Sequence, residues 1–267
     1  LQQADYVGAS FFIASMMLLV SAIFLFFQVN RVPSRYRNPV LVGTLVVAVA
    51  ALNSLFRRSY WIDTQTNPTE FRFFDWFLTV PLMSIEFYLL VRNIGGKMGM
   101  LVRLLVASFW MLIWGYIGEA LYPEQSIWLG SVASLGLAAI VAIIMGEGYP
   151  KIFRNTQDKA LRRGYVTLSI MLPLGWMVYP ICFMAIPGNL LEGSLSVGNI
   201  ALLYNIADVF NKAGLGLGIY LIAKHSQENR QDSLDTMERI EWKTGAAAAK
   251  PEAPRTSPAS PSAQVLN

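Results

Sequence analysis

The sequence predicts an all-α membrane protein, a seven-transmembrane helix bundle, and three observations predict it. Of 267 residues, 54% are apolar and only 14% charged, against about 25% charged in an average soluble chain. Seven apolar stretches each reach the roughly 20 residues a helix needs to cross about 30 Å of hydrocarbon. No stretch shows the residue-by-residue alternation of a barrel strand. Backbone groups in lipid must be satisfied within the segment, so helices are the consistent solution.

The first span is expected at 7–29, an unbroken apolar run closed by the Asn30 to Asn38 segment with its Arg and Pro. The second, 39–58, ends on Arg57 and Arg58, and the third, 72–92, carries Arg72, Asp75 and Glu86. After the Gly95 to Lys97 break come the fourth, 100–121, and the fifth, 127–146. The sixth, 165–187, and the seventh, 196–223, complete the set. Connections this short suit antiparallel neighbours. Residues 1–225 are thus one helical domain. Residues 226–245 form a polar juxtamembrane segment in which Leu234, Met237 and Ile240 could support a short helix lying on the membrane. Residues 246–267 are an Ala, Pro and Ser tail expected to be disordered.

Lys and Arg next to a span resist translocation, so their distribution sets the orientation. Arg31, Arg35, Arg37, Arg92, Lys97, Arg103, Lys151, Arg154, Lys159, Arg162, Arg163 and the basic tail fall on one side, against Arg57, Arg58 and Arg72 on the other. The N-terminus is therefore expected outside and the C-terminus in the cytoplasm. The net charge of +4 is this asymmetry and implies no nucleic-acid surface. One cysteine, Cys182, excludes an internal disulfide, and one histidine, His225, excludes a His-rich metal site. A soluble enzyme is not expected.

Charges inside spans are expensive and are functional candidates by default. At 100° and about 1.5 Å per residue, Asp75, Thr79 and Glu86 fall within some 40° of one another, with Asp75 and Glu86 about 16 Å apart along the axis. Two carboxyls so placed could load and unload a proton on either side of a central group. Asp208 and Lys212 stack four residues apart on the seventh span. A buried lysine deprotonates, pairs with acids or is chemically modified, a Schiff base with an aldehyde being the chemistry buried lysines suit. On the residues alone, a salt bridge that fastens the bundle stands level with that reading.

Arg72-Phe-Phe-Asp75-Trp76-Phe-Leu-Thr79-Val-Pro81-Leu followed by Glu86, Gly175-Trp176-Met-Val-Tyr179-Pro180, and Tyr204-Asn205-Ile-Ala-Asp208-Val-Phe-Asn211-Lys212 together resemble the microbial rhodopsins. The Asp75, Thr79 and Glu86 set is similar to the proteorhodopsin branch of light-driven outward proton pumps, and the resemblance covers about residues 5–225. It implies all-trans retinal bound to Lys212 as a protonated Schiff base. It also implies Asp75 as counterion and proton acceptor, Asp208 as second counterion, Arg72 just outside that pair, Thr79 bonding near Asp75, and Glu86 as proton donor. Trp76, Trp176, Tyr179 and Pro180 would wall the polyene, and an apolar Met83 would tune it to green light. Asp75 opposes a chloride pump, and the Asn-Asp-Gln set that sodium pumps resemble is absent. The resemblance further implies a bacterial cell membrane and association of copies as trimers to hexamers.

The sequence departs from the pattern in places. Asn53 stands where proteorhodopsins commonly carry a His that pairs with the counterion, and Asn does not titrate near neutrality. One turn on, Arg57 shares the face of Asn53, with Arg58 beside it. The favoured reading is an interfacial arginine pair reaching to water. The sharper one has Arg57 touching acids of the outer half-channel. Gly136 stands where relatives have a large aromatic, and could open a window for a carotenoid antenna, although a glycine in a span more often marks close helix packing. Glu192, near an outer end, is a proton-release candidate or a solvated loop acid. The competing functions are a photosensory retinal protein signalling through the tail, and a seven-helix transporter or receptor without retinal.

Overall fold

The computed structural model describes residues 5–186 and 188–244. Among these every regular element is a helix, with seven helical stretches long and apolar enough to cross a membrane. The chain divides into two units, 1–227 and 228–267, and the bundle is the first.

Helix α1 spans Tyr6–Gln28 and opens on an Asp5 cap whose carboxylate accepts from the Gly8 amide at 2.8 Å. Helix α2, Ser34–Thr64, starts behind Pro33 and stops where Gln65 turns left-handed at φ 56°. Helix α3, Thr69–Arg92, ends before Gly95, whose φ of 102° turns the chain into α4, Met98–Tyr116. The fourth span then widens into a π turn, Ile117–Leu121. Helix α5 covers Ser126–Asn155. Asp158 caps α6, Lys159–Trp176, by accepting from the amides of Ala160 and Leu161. The sixth span breaks at Met177 and resumes as α7, Val178–Met184. Pro180 has no amide to give the Trp176 carbonyl, so the break lies where the backbone ladder is already interrupted. The seventh span is α8, Val197–Asp208, a π turn Val209–Ala213, and α9, Gly214–Thr244. Residues 226–244 are thus the continuation of the last helix and not a separate one; Gly245 and the 246–267 tail lie outside the described residues.

Successive spans pack against each other, and α8 closes on α1. The burial pattern is that of a protein dissolved in lipid. Phe26, Phe27, Phe74, Val106 and Leu174 face outward, whereas Arg57, Arg72, Asp75, Glu86, Asp208 and Lys212 face inward. That distribution is stable only where the surrounding solvent is itself apolar.

Candidate functional site

Lys212 lies in the π turn of the seventh span, the wider helical form that recurs at functional positions. Its ammonium pairs with Asp75 Oδ2 from α3 and lies 3.5 Å from Asp208 Oδ1 one turn earlier. All three side chains are closed off from the surface. Taking unpaired charges out of water costs several kcal/mol each, so such a cluster persists only when mutually compensated.

The two carboxylates are used differently. Asp208 Oδ1 accepts from Tyr179 Oη at 3.0 Å and Trp76 Nε1 at 3.3 Å. Its Oδ2 accepts from Arg57 Nη1 at 2.8 Å and lies 3.9 Å from Arg72 Nη1. Tyr179 in turn accepts from Asn211, whose side chain occupies the space that a Cβ on Gly175 would fill. Asp75 has only Lys212 and, at 3.8 Å, Arg57 Nη2, both on Oδ2; its Oδ1 is buried with no partner. A saturated carboxylate is a fixed counter-charge, whereas one with a free oxygen can accept a proton.

Arg57 corrects the favoured reading of the sequence. It does not reach to water: it is fully buried, donates to Ser54 Oγ at 3.2 Å, and spans both carboxylates. Only Arg58 turns outward, toward the Phe12 ring. The reason is azimuth, since the face of α2 that carries Arg57 meets the bundle interior. Asn53 on that face is buried with an unpartnered Oδ1 and makes no bond to Asp75. Arg72 lies over the Tyr204 ring at 4.3 Å and donates to Asn67 at 3.4 Å. Thr79 donates to the Asp75 main-chain carbonyl at 2.9 Å.

Beside Lys212 opens a cavity of about 1130 Å³ including its mouth, lined by Trp76, Met83, Trp176, Tyr179 and Pro180 among other apolar groups. A long apolar aldehyde fits it chemically: the walls are largely aromatic and aliphatic, and one amine, that of Lys212, is among the lining groups. Ser131 and Ser134 both line the cavity and are exposed, so it reaches the outer face of α5.

Gly136 is not part of that opening. A Cβ there would lie 2.7 Å from the Ala107 carbonyl and 2.8 Å from the Met111 amide, so the residue serves close packing of α5 on α4, the reading the sequence favoured over a window. Gly130 on the same helix does line the cavity, as Gly115 of α4 does, and a Cβ there would meet the Phe183 ring. Glu192 is exposed and clamps its own turn by accepting from the Gly188 amide. Glu119, which the sequence places near an outer end but to which it gives no role, lines the cavity from the π turn and accepts from Thr69 Oγ1 at 3.1 Å. The available signal was spacing, since Met111, Leu112, Gly115 and Glu119 recur at helical intervals along the cavity side of the fourth span. Glu86 is buried on the stripe of Asp75 and Thr79, away from the cavity, with neither oxygen partnered.

A model of bacteriorhodopsin-like proteins matches residues 6–226. The chain is 36% identical over 236 residues to a green-light absorbing proteorhodopsin of Gamma-proteobacterium EBAC31A08, covering 86% of this chain and 91% of the relative. It is 33% identical over 229 residues to a blue-light absorbing proteorhodopsin of Gamma-proteobacterium Hot 75m4, covering 85% and 89%. Among solved structures, the blue light-absorbing proteorhodopsin from Med12 superposes with a TM-score of 0.70 at 31% identity, over 84% of this chain and 99% of that one. Xanthorhodopsin, described as a light-driven ion pump with dual chromophore, superposes with a TM-score of 0.75 at 25% identity, over 86% and 98%.

Proposed function

The chain belongs to the bacteriorhodopsin-like family of microbial rhodopsins, and on that premise we propose that it is a light-driven retinal proton pump moving protons outward. It is a transporter and not an enzyme. The observation that carries the reading is a buried amine, Lys212, that pairs with two carboxylates and lines an apolar aromatic cavity. Retinal, attached to the Lys212 nitrogen and held by Trp76, Met83, Trp176, Tyr179 and Pro180, would supply light absorption and the motion that reorients the N–H.

The chain's own groups do the rest. Asp75 Oδ1, buried and unpartnered, is the acceptor for the proton leaving Lys212. Asp208, saturated by Tyr179, Trp76 and Arg57, stays charged and stabilises the cationic nitrogen. Glu86, buried on the same stripe with neither oxygen partnered among the described residues, is the donor that returns a proton to Lys212. The excess of Lys and Arg on the first, third and fifth connections puts Glu86 on the cytoplasmic side and Arg57 and Arg72 on the outer side, which makes net transport outward.

On this reading the protein crosses a bacterial cytoplasmic membrane, and its exposed apolar faces meet lipid and neighbouring copies in rings of three to six. A carotenoid antenna would have to lie against Gly130, Ser131 and Ser134 and not at Gly136; an excitation spectrum with a carotenoid added tests it. A photosensory role is the second reading, favoured by the helix that runs on to Thr244.

One experiment separates these. The chain is expressed with retinal, and a lightly buffered suspension is illuminated. A visible band with acidification abolished by a protonophore supports the pump. Colour without a pH change supports the sensor, and no colour removes both. Lys212→Ala should remove the band, and Asp75→Asn should red-shift it and stop acidification.

A further inference from the structure

Arg57, which the scheme above uses only to saturate Asp208, also stands beside Asp75. Around Asp75 and Asp208 stand three basic groups, Lys212, Arg57 and Arg72, against two carboxylates. The other polar groups facing the cluster, Tyr179, Trp76, Ser54 and Thr79, are neutral. Glu119 stands beyond Arg72, bonded to Thr69. Whatever the state of Glu119, Arg57 places one extra positive charge 3.8 Å from Asp75, in a site closed to solvent.

We propose that Arg57 is a positioning residue whose fixed charge expels the proton from Asp75 to the outer side before a new proton enters from the cytoplasm. The inference rests on the pumping reading. The steps balance: the N–H bond at Lys212 breaks as an O–H bond forms on Asp75, and the net charge of the cluster does not change. That O–H bond then breaks, the proton passes to water beyond Arg72, and the cluster loses one positive charge. With Arg57 present this loss takes the five-group cluster from one excess positive charge to neutrality, which is favourable in low dielectric. Without Arg57 the same loss would leave a net negative charge. Arg57 is held for this by Asp208 Oδ2 at 2.8 Å and Ser54 at 3.2 Å, so it keeps its place when Asp75 becomes neutral.

The test uses the purified retinal-bound protein in detergent with a pH-indicator dye. After a flash, the dye times release and uptake, and the infrared carbonyl band of Asp75 times its protonation. The native protein should release before it takes up. Arg57→Gln should delay release about tenfold or more, the scale of about 1.4 kcal/mol, until after uptake. Arg57→Lys, which keeps the charge, should keep release first. Native timing in Arg57→Gln, or late release in Arg57→Lys, overturns the proposal. If Arg57→Gln does not assemble, the Lys variant alone decides by the same criterion. A second readout needs no retinal. In the retinal-free protein, Arg57→Gln and Asp208→Asn should be coupled in a double-mutant cycle of thermal unfolding by tenfold or more in the equilibrium constant, and additive effects overturn the bridge. A native protein that acidifies nothing under light would instead sink the pumping reading, so the two failures are distinguishable.

Discussion

Replacing Asp208 with Asn removes one negative charge while keeping the shape of the side chain and an oxygen that can still accept from Tyr179 and Trp76. What remains is Arg57, formerly 2.8 Å from Oδ2, and Arg72, at 3.9 Å, with no carboxylate between them. Coulomb's law at 2.8 Å and an effective dielectric constant of about 20 gives about 6 kcal/mol for the first pair alone. Removing one partner of a buried pair costs about 3–5 kcal/mol in practice, because the residual charge is partly relieved by rearrangement. For a chain of this length each kcal/mol corresponds to about 2–4 °C of Tm, so a fall of about 6–20 °C is expected. The assay is thermal loss of the visible band, with circular dichroism in parallel. A Tm within about 2 °C of the native protein would refute the claim that Asp208 holds the two guanidiniums in the interior.

Gly43→Ala would put a Cβ 2.6 Å from Glu86 Oε1 and 3.2 Å from the Gly216 backbone, while leaving the cavity walls untouched. Recovery after illumination should slow with the visible band unchanged, and native-rate recovery would show that the carboxyl has room to move. Gly136→Ala should cost about 1–3 kcal/mol, since two of its three near contacts are backbone of α4 and the third is Met111 Cβ, none of which can rotate away; an unchanged Tm would reopen the lateral-window reading. Asp158 gives the pH prediction. Burial pushes its carboxyl up, but hydrogen bonds from Ser226 and the Leu161 amide and the Arg35 guanidinium outweigh burial and hold it below the ordinary carboxylate range. A depressed folded value contributes stability above the unfolded value of about 3.9 and loses it as pH falls through the folded one. Asp158→Asn should therefore lower Tm at pH 7, and the gap from native should shrink at acid pH; a gap independent of pH would contradict this.

Much of the molecule is legible in one dimension because lipid imposes strong rules. Span length and the cost of unsatisfied backbone set seven helices, and the rarity of charges in spans singles out Asp75, Glu86, Asp208 and Lys212 before any coordinates. Helical register alone puts Asp75, Thr79 and Glu86 on one stripe, and all three are buried. What register cannot supply is the direction a face takes in the bundle. Arg57 and Arg58 are adjacent and alike, yet one bridges two buried carboxylates and the other turns toward Phe12, because α2 meets its neighbours along one azimuth only. Gly136 and Gly130 are two glycines of one helix; the first presses on α4 and the second lines the cavity, a difference set by which helix stands opposite. Glu119 shares one side of its span with Met111 and Gly115, and only the helices opposite make that side a cavity wall. The sequence by itself determined which groups the membrane would force inward; only the packing of helices decided which of them touch, since contact depends on the orientation of neighbouring axes and the sequence pattern encodes each axis alone.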